Sequence, residues 1–129
     1  ALIGVLSEVV GQSAVNVVNA MHLATGRGIA VERTRLTPRE DYAEYLEVRL
    51  TGEEESIRVG GAVLEGAHPR VVRIGEYHVD ILPRGDLVLL RNRDVPGVIG
   101  RVGTALAAAG INIGQYNVAR LEAGGQALA

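Results

Sequence analysis

A polar cluster follows a short apolar stretch in the last third of the sequence. Asn92 and Asp94 come soon after the apolar run Leu87–Leu90, and Asn112 lies at the start of a later apolar segment. In a β-α-β unit the corresponding strand ends can lie close together. A carboxylate suits an ammonium group, and an amide can both donate and accept hydrogen bonds. The cluster therefore predicts a binding site.

A helix start lies between these polar residues. The pattern predicts a helix from Val98 to Ala109, directly after a strand and the turn at Asp94–Gly97. Amides in the first turn of a helix lack an intrahelical partner and can hold a carboxylate or phosphate. The amides concerned are those of Gly97, Val98 and Ile99. The G-x-G-x-x-G spacing is not met, so a dinucleotide site is not expected; the glycines could instead serve only close backbone packing.

Composition limits the classes of function. The chain has 129 residues, 47% of them hydrophobic, with no Phe and no Trp, so its core must be aliphatic, which suits sheets covered by helices. A net charge of -2 makes nucleic acid and membrane surfaces unexpected partners. The absence of cysteine excludes disulfides and thiolate sites and fits a reducing compartment, so we expect the cytoplasm.

The first third of the sequence predicts two helices and a strand. Apolar residues recur at helical spacing from Leu2 to Val10, and Ser13 could cap a second helix over Ala14–Ala24. Alternation over Ile29–Leu36 predicts a strand. Glu8 interrupts the first apolar run, so we expect neither a signal peptide nor a spanning helix, and the sequence begins as though within a longer protein.

The rest of the sequence predicts two sheets and an α+β fold. Four strand patterns follow, with Gly75-Glu76 as a hairpin turn: Tyr45–Leu50, Ser56–Leu64, Arg70–Ile74 and Tyr77–Leu82. We expect a mostly antiparallel sheet with helices on one face, forming a domain over residues 1–85. Residues 86–129 then predict a β-α-β-β order, an incomplete form of the ferredoxin-like unit.

Two parts of the sequence resemble known domains. The stretches Arg91–Gly103, Ala109–Ile113 and Glu122–Leu128 resemble the ACT domain of D-3-phosphoglycerate dehydrogenases, a likeness that covers Leu87–Ala129. The earlier stretches resemble the intervening domain of the long form of that enzyme; they are Val59–Val63, Pro69–Gly75 and Tyr77–Asp80. Together the two likenesses span nearly the whole chain.

The resemblance implies a regulatory role in serine biosynthesis. Members of that family oxidise 3-phosphoglycerate with NAD, which would bind to a catalytic part outside this segment. Their ACT domains pair edge to edge between subunits and bind serine as a feedback inhibitor. The segment itself would then hold no catalytic residue, cofactor or metal, and its expected partners are L-serine or a similar small amino acid and a second copy of the chain.

The resemblance also implies roles for single residues. Asp94 and Asn112 match positions that hold the amino and carboxylate groups of serine, and the amides of Gly97–Ile99 match the place where the ligand docks. Asn92 stands where many relatives carry His or Tyr. Arg70 and His78 match basic positions that can bind a phosphorylated anion, although a strand-edge charge and a partly buried histidine are the simpler interpretations.

Two other interpretations remain open. The β chain of an iron-sulfur L-serine dehydratase shares a related domain beside an ACT domain, in which case the segment would help to form a lyase. Alternatively, the chain could be an assembly module that joins subunits through an exposed third strand beginning at Gln126. Hydrolase and metalloprotease motifs such as G-x-S-x-G and H-E-x-x-H are absent from the sequence.

Overall fold

The computed structural model describes residues 1–34, 44–64 and 68–129. Its elements are α1 (Leu2–Val10), a 3-10 helix (Gln12–Ala14), α2 (Ala20–Thr25), β1 (Glu44–Thr51), β2 (Ser56–Leu64), β3 (His68–Ile74), β4 (Tyr77–Ile81), β5 (Arg91–Arg93), α3 (Val98–Ala108), β6 (Ala119–Arg120) and β7 (Gln126–Leu128). The predicted α+β class is confirmed. The chain forms two compact units, Ala1–Thr37 and Pro38–Ala129. The domain boundary predicted at residue 85 stays a prediction.

Unit 1 is built around one leucine. Leu6 of α1 is fully buried, and it packs in a cluster with Val15, Ala20 and Ala24. The two alanines are small enough for α1 and α2 to approach closely. Helix α1 ends where predicted, because Gly11 has φ 89° and its N–H donates to the Ser7 carbonyl.

The predicted second helix is shorter than expected. Residues Ala14–Ala24 do not form one helix; α2 begins only at Ala20. The Asn16 Oδ1 accepts hydrogen bonds from the backbone N–H groups of Val18 and Asn19, at 2.9 and 3.0 Å. The Asn19 Oδ1 accepts from the Asn16 N–H at 2.8 Å. These local bonds replace the helical hydrogen bonds that the amides would otherwise make.

The predicted strand over Ile29–Leu36 is not formed in its described part. Residues 29–34 have no regular structure, while residues 35 and 36 lie outside the described residues. The Ile29 N–H donates to the Ala24 carbonyl at 3.0 Å and so closes the end of α2. Alternation alone does not make a strand, because a strand also needs a neighbouring strand to pair with. Within the described residues none pairs here.

The first sheet of unit 2 agrees closely with the sequence patterns. Strands β1 to β4 pair in that order and are all antiparallel. The predicted turn at Gly75-Glu76 joins β3 to β4. Arg58 and Arg73 each donate an Nε–H to the Gly75 carbonyl, at 3.1 and 3.0 Å, and both form ion pairs with Glu76. The two guanidinium groups therefore hold the turn against the sheet.

Gly60 of β2 provides the space for an aromatic side chain on this sheet. The register places Gly60 between Glu47 and Arg73. Tyr45 lies across Gly60, and its hydroxyl donates to the Glu47 Oε2 at 2.9 Å. A Cβ added at Gly60 would lie 2.5 Å from the Tyr45 Oη and 3.0 Å from the Arg73 Cβ. Only glycine fits here without movement of a neighbour.

The variant Gly60→Ala is therefore expected to lower the free energy of unfolding by about 1–3 kcal/mol, the usual effect of overpacking. The matched control is Gly61→Ala, because a Cβ at Gly61 would meet only the Arg70 carbonyl oxygen at an ordinary 3.5 Å. Urea unfolding of both variants measures the difference. Equal stability of the two variants would contradict the role assigned to Gly60.

The second sheet of unit 2 forms a split β-α-β arrangement. Its strand order is β5-β7-β6, and both pairings are antiparallel. Helix α3 joins β5 to β6, so β7 lies between two strands that precede it in the chain. The predicted β-α-β-β unit is confirmed. The assembly-module alternative required an exposed strand beginning at Gln126, and that part of it is wrong, because β7 is the central strand of this sheet.

The strand limits in this sheet also differ from the sequence patterns. Residues 87–89 are not in a strand; pairing begins at Leu90, which exchanges two 2.8 Å backbone hydrogen bonds with Ala129. Residues 111–118, predicted as part of a long strand, have no ladder partner among the described residues. Side chains replace part of that ladder, since Asn117 Nδ2 donates to the Asp80 carbonyl at 2.9 Å and Gln115 Nε2 donates to it at 3.3 Å. These bonds attach the segment before β6 to β4.

No helix within the described ranges has the length and apolar character needed to cross a membrane.

Candidate functional site

A pocket of about 470 Å³ lies on one face of the second sheet, beside the start of α3. Its volume falls in the range of roughly 300–1,000 Å³ that is common for small-molecule sites. The pocket is lined by Asn92, Asp94, Val95, Pro96, Gly97, Val98, Ile99, Tyr116, Val118, Arg120, Ala123, Gly124 and Ala129. Five of the six residues predicted for effector binding are in this set. The structure therefore brings most of the predicted site together.

Strand pairing explains why the polar residues share one face. Ala127 of β7 pairs with Asn92 of β5 on one side and with Arg120 of β6 on the other. Directly paired residues in a sheet point to the same face, as do residues two apart along a strand. Asp94, two residues after Asn92, is held by its N–H, which donates to the Gly125 carbonyl at 2.8 Å. Ala127 is fully buried and small, so the polar groups can approach one another across it.

Asp94 and Arg120 form an ion pair in the pocket. The Arg120 Nη1 donates to the Asp94 Oδ2 at 2.8 Å. The Asp94 side chain is 22% exposed and that of Arg120 is 59% exposed, so solvent screens the pair. The pair fixes the position of the carboxylate more than it stabilises the fold. Asp94 was predicted from the sequence as a site residue, whereas Arg120 was not.

Two buried polar atoms of pocket residues have no hydrogen-bond partner among the described residues. They are the Asn92 Oδ1 and the Tyr116 Oη. The Asn92 amide nitrogen is used, since it donates to the Arg93 carbonyl at 2.7 Å. Buried polar atoms normally have a partner, because leaving one without costs about 1–3 kcal/mol. An acceptor and a hydroxyl are thus available to a ligand.

The first turn of α3 supplies backbone amides at the same pocket. Gly97 precedes the helix in the left-handed conformation, with φ 89°, a geometry that favours glycine. No side chain caps the helix, and the amides of Val98 and Ile99 have no intrahelical acceptor. The positive end of the helix dipole therefore lies beside Asp94 and Arg120.

Asn112 is the predicted effector residue that the structure does not place with the others. It is exposed, it follows the end of α3 and it is not among the lining residues of the pocket. The strand that would have carried it to the sheet is not formed at this position. Its predicted role stays a prediction.

Comparison with known proteins identifies the family. Residues 1–75 match the family described as the D-3-phosphoglycerate dehydrogenase intervening domain. The chain belongs to this family. The D-3-phosphoglycerate dehydrogenase of Bacillus subtilis (strain 168) is 35% identical over 116 residues, which is 90% of this chain and 22% of that protein. The enzyme of the same name from Archaeoglobus fulgidus is 33% identical over 120 residues, 93% of this chain and 23% of that protein.

A third relative has the same name. The D-3-phosphoglycerate dehydrogenase of Methanocaldococcus jannaschii is 32% identical over 125 residues, 97% of this chain and 23% of that protein. The chain spans less than a quarter of the length of these curated relatives. The resemblance to D-3-phosphoglycerate dehydrogenases inferred from the sequence is confirmed, and it extends beyond the matched intervening domain.

The two predicted anion-binding residues lie in and beside the matched intervening domain. Arg70 is on β3, where its Nε is 3.6 Å from the Asp80 Oδ1. His78 on β4 is exposed and pairs in the register with Arg73, not with Arg70. Arg70 and His78 are thus on adjacent strands but at different levels, and neither lines the pocket beside α3. The anion site stays a prediction.

Several residues that line the pocket were not predicted from the sequence as site residues. Three of them are Tyr116, Val118 and Arg120, which lie on or just before β6. The three alternate along the chain, and alternation places such residues on one face of an extended segment. The alternation of Tyr116 and Val118 with other residues could therefore have predicted from the sequence that both lie on one face. The pairing of Arg120 with Asp94, 26 residues away, depends on the strand order and could not be read from spacing.

Proposed function

We propose that this chain is a non-catalytic regulatory segment of a D-3-phosphoglycerate dehydrogenase of serine biosynthesis, and that the pocket beside α3 binds L-serine or a similar small amino acid as an effector. Catalysis, with NAD as cofactor, would belong to other parts of the parent enzyme, in the cytoplasm. The names of the relatives support a dehydrogenase parent over the dehydratase alternative. The polar groups that line the pocket support a small amino acid as the ligand.

One observation carries the ligand assignment: the pocket places a carboxylate, a guanidinium group and unused helix amides around one small space. Asp94 suits an ammonium group, while Arg120 and the amides of α3 suit a carboxylate. The unpaired Asn92 Oδ1 and Tyr116 Oη could bond a hydroxyl group of the ligand. An α-amino acid with a short polar side chain meets these requirements together.

Self-association is part of the proposal. Strand β5 is at one edge of the second sheet, so a second copy of the chain can pair with it edge to edge. Asn112 would contribute to a site only across such a pairing, because it lies outside the pocket of its own chain. Effector binding would regulate the parent enzyme through a difference in affinity between two states of the assembly. Sedimentation with and without L-serine measures whether the ligand and the pairing are coupled.

The test of the proposed site is an NMR titration of the chain with L-serine. We expect the amide signals of Val98, Ile99 and Arg120 to shift together along one saturable curve. The remote turn at Gly52–Glu55 provides internal control signals that should not move. Absence of saturable shifts around α3, or shifts confined to unit 1, would contradict the proposed site.

A further inference from the structure

The Asp94–Arg120 pair differs from the other polar features of the pocket because it carries both signs of charge. Arg120 Nη1 donates to Asp94 Oδ2 at 2.8 Å, and the Arg120 side chain makes no other hydrogen bond within the described residues. A guanidinium group has five N–H donors, so most of those on Arg120 remain available. Asp94 likewise has a second carboxylate oxygen. Each member of the pair can therefore bind a ligand group while the pair stays in place.

We propose that Arg120 is a specificity-determining residue of the pocket: with Asp94 it selects zwitterions, receiving the carboxylate of the ligand while Asp94 receives the ammonium group. This inference rests on the proposed function, since it names how the effector site tells amino acids from other small polar molecules. The helix amides of α3 add partial charge beside the carboxylate. Arg120 adds a full positive charge and can bind the ligand carboxylate through bidentate hydrogen bonds.

The charge pair penalises ligands that carry only one of the two groups. A plain amine beside Asp94 also lies beside the Arg120 cation, and no carboxylate compensates that repulsion. A plain carboxylic acid beside Arg120 meets the Asp94 anion in the same way. A zwitterion places each of its charges next to the opposite charge of the pair. Selectivity therefore comes from rejection of the single-charge analogues as well as from attraction.

The placement of Arg120 supports this role over a merely structural one. Its side chain is 59% exposed although it lines the pocket, so it is not needed to fill a core. Its position is fixed by β6, which pairs with β7 through Arg120 and Ala127. Asp94 keeps its own backbone hydrogen bond to Gly125 whether or not Arg120 is present. Removal of the guanidinium group should therefore leave the sheet intact.

The experiment compares three ligands on three forms of the chain. The ligands are L-serine, ethanolamine, which lacks the carboxylate, and 3-hydroxypropionate, which lacks the ammonium group. The forms are the unmodified chain, Arg120→Gln and the control Arg93→Gln, an exposed arginine on β5 outside the pocket. Calorimetric titration gives the Kd of each ligand for each form of the chain, and NMR spectra verify that each variant is folded.

The unmodified chain and Arg93→Gln are expected to bind L-serine at least about 10-fold more tightly than ethanolamine. In Arg120→Gln the affinity for L-serine should fall by about 10-fold to 100-fold, and its preference over ethanolamine should largely disappear. An unchanged preference in Arg120→Gln would overturn the inference while leaving the proposed function standing. Failure of the unmodified chain to bind L-serine at all would overturn the proposed function. Should Arg120→Gln not fold, equal binding of L-serine and ethanolamine by the unmodified chain overturns the inference.

Discussion

Replacement of Leu6 by alanine is expected to lower the free energy of unfolding of unit 1 by about 2–5 kcal/mol, because it leaves a cavity where a fully buried side chain was. The neighbours cannot refill that space. Ala20 and Ala24 are already the smallest side chains that pack there, and Val15 is stiff about its first side-chain torsion. Partly buried residues that surround the cluster, among them Leu2 and Leu23, lose contacts as well.

Denaturant unfolding followed by far-ultraviolet circular dichroism and by amide hydrogen exchange in α1 measures this effect. Val18→Ala is the matched control, since Val18 is 92% exposed and its truncation should change the free energy of unfolding by less than about 0.5 kcal/mol. An effect of Leu6→Ala no larger than that of Val18→Ala would mean that Leu6 is not the centre of the core of unit 1.

Replacement of Asp94 by alanine is expected to weaken L-serine binding by at least about 30-fold. In the proposed complex the ligand ammonium group and Asp94 form a hydrogen-bonded charge pair, and removal of one partner of such a pair costs about 2–5 kcal/mol of binding free energy. The fold should tolerate the change, because the Asp94 backbone bond to Gly125 remains and Arg120 is solvated. The loss of the partly exposed ion pair should lower the free energy of unfolding by about 1 kcal/mol or less.

The control for this variant is Asp86→Ala, which removes the same charge from an exposed position outside the pocket. Calorimetry with L-serine on both variants separates a contact in the pocket from a general effect of net charge. If Asp94→Ala binds L-serine as tightly as Asp86→Ala does, Asp94 does not contact the ligand.

Local patterns were sufficient for most regular elements. Alternation predicted β1 to β4 within two residues at either end, since these strands pair with sequence neighbours through short turns. Helical spacing with a terminal glycine predicted α1, and the turn at Gly97 predicted the start of α3. In each case the signal and the partner lie close together in the chain.

The elements that were predicted wrongly depend on hydrogen bonds that a local pattern does not show. These are competing side-chain bonds in one case and a missing partner strand in the other. The side chains of Asn16 and Asn19 bond the backbone locally and delay α2, although the surrounding residues have a helical pattern. The segment over residues 29–34 has an alternating pattern but no strand beside it among the described residues. A sequence pattern does not show whether the backbone amides will bond within a helix or strand or instead to nearby side chains.

The candidate site was only partly predicted, because some of its residues meet through partners that are distant in sequence. Asn92, Asp94 and the start of α3 are contiguous in sequence, so their proximity was expected. Arg120 reaches Asp94 only because β7 inserts between β5 and β6, and that strand order is a tertiary property. Asn112 was assigned from its place at the start of a predicted strand and from the family resemblance, but that strand is not formed there and the structure places Asn112 outside the pocket.

The most direct test of the central claim is a calorimetric titration of L-serine into the unmodified chain, with D-serine as the stereochemical control. We expect saturable binding of L-serine and clearly weaker binding of D-serine, because the ammonium, carboxylate and hydroxymethyl groups of D-serine cannot all contact the same partners. At about 100 times its Kd, L-serine should also raise the free energy of unfolding by roughly 2.7 kcal/mol. Absence of both binding and stabilisation at millimolar L-serine, or equal binding of the two enantiomers, would contradict the claim that this pocket is a serine sensor.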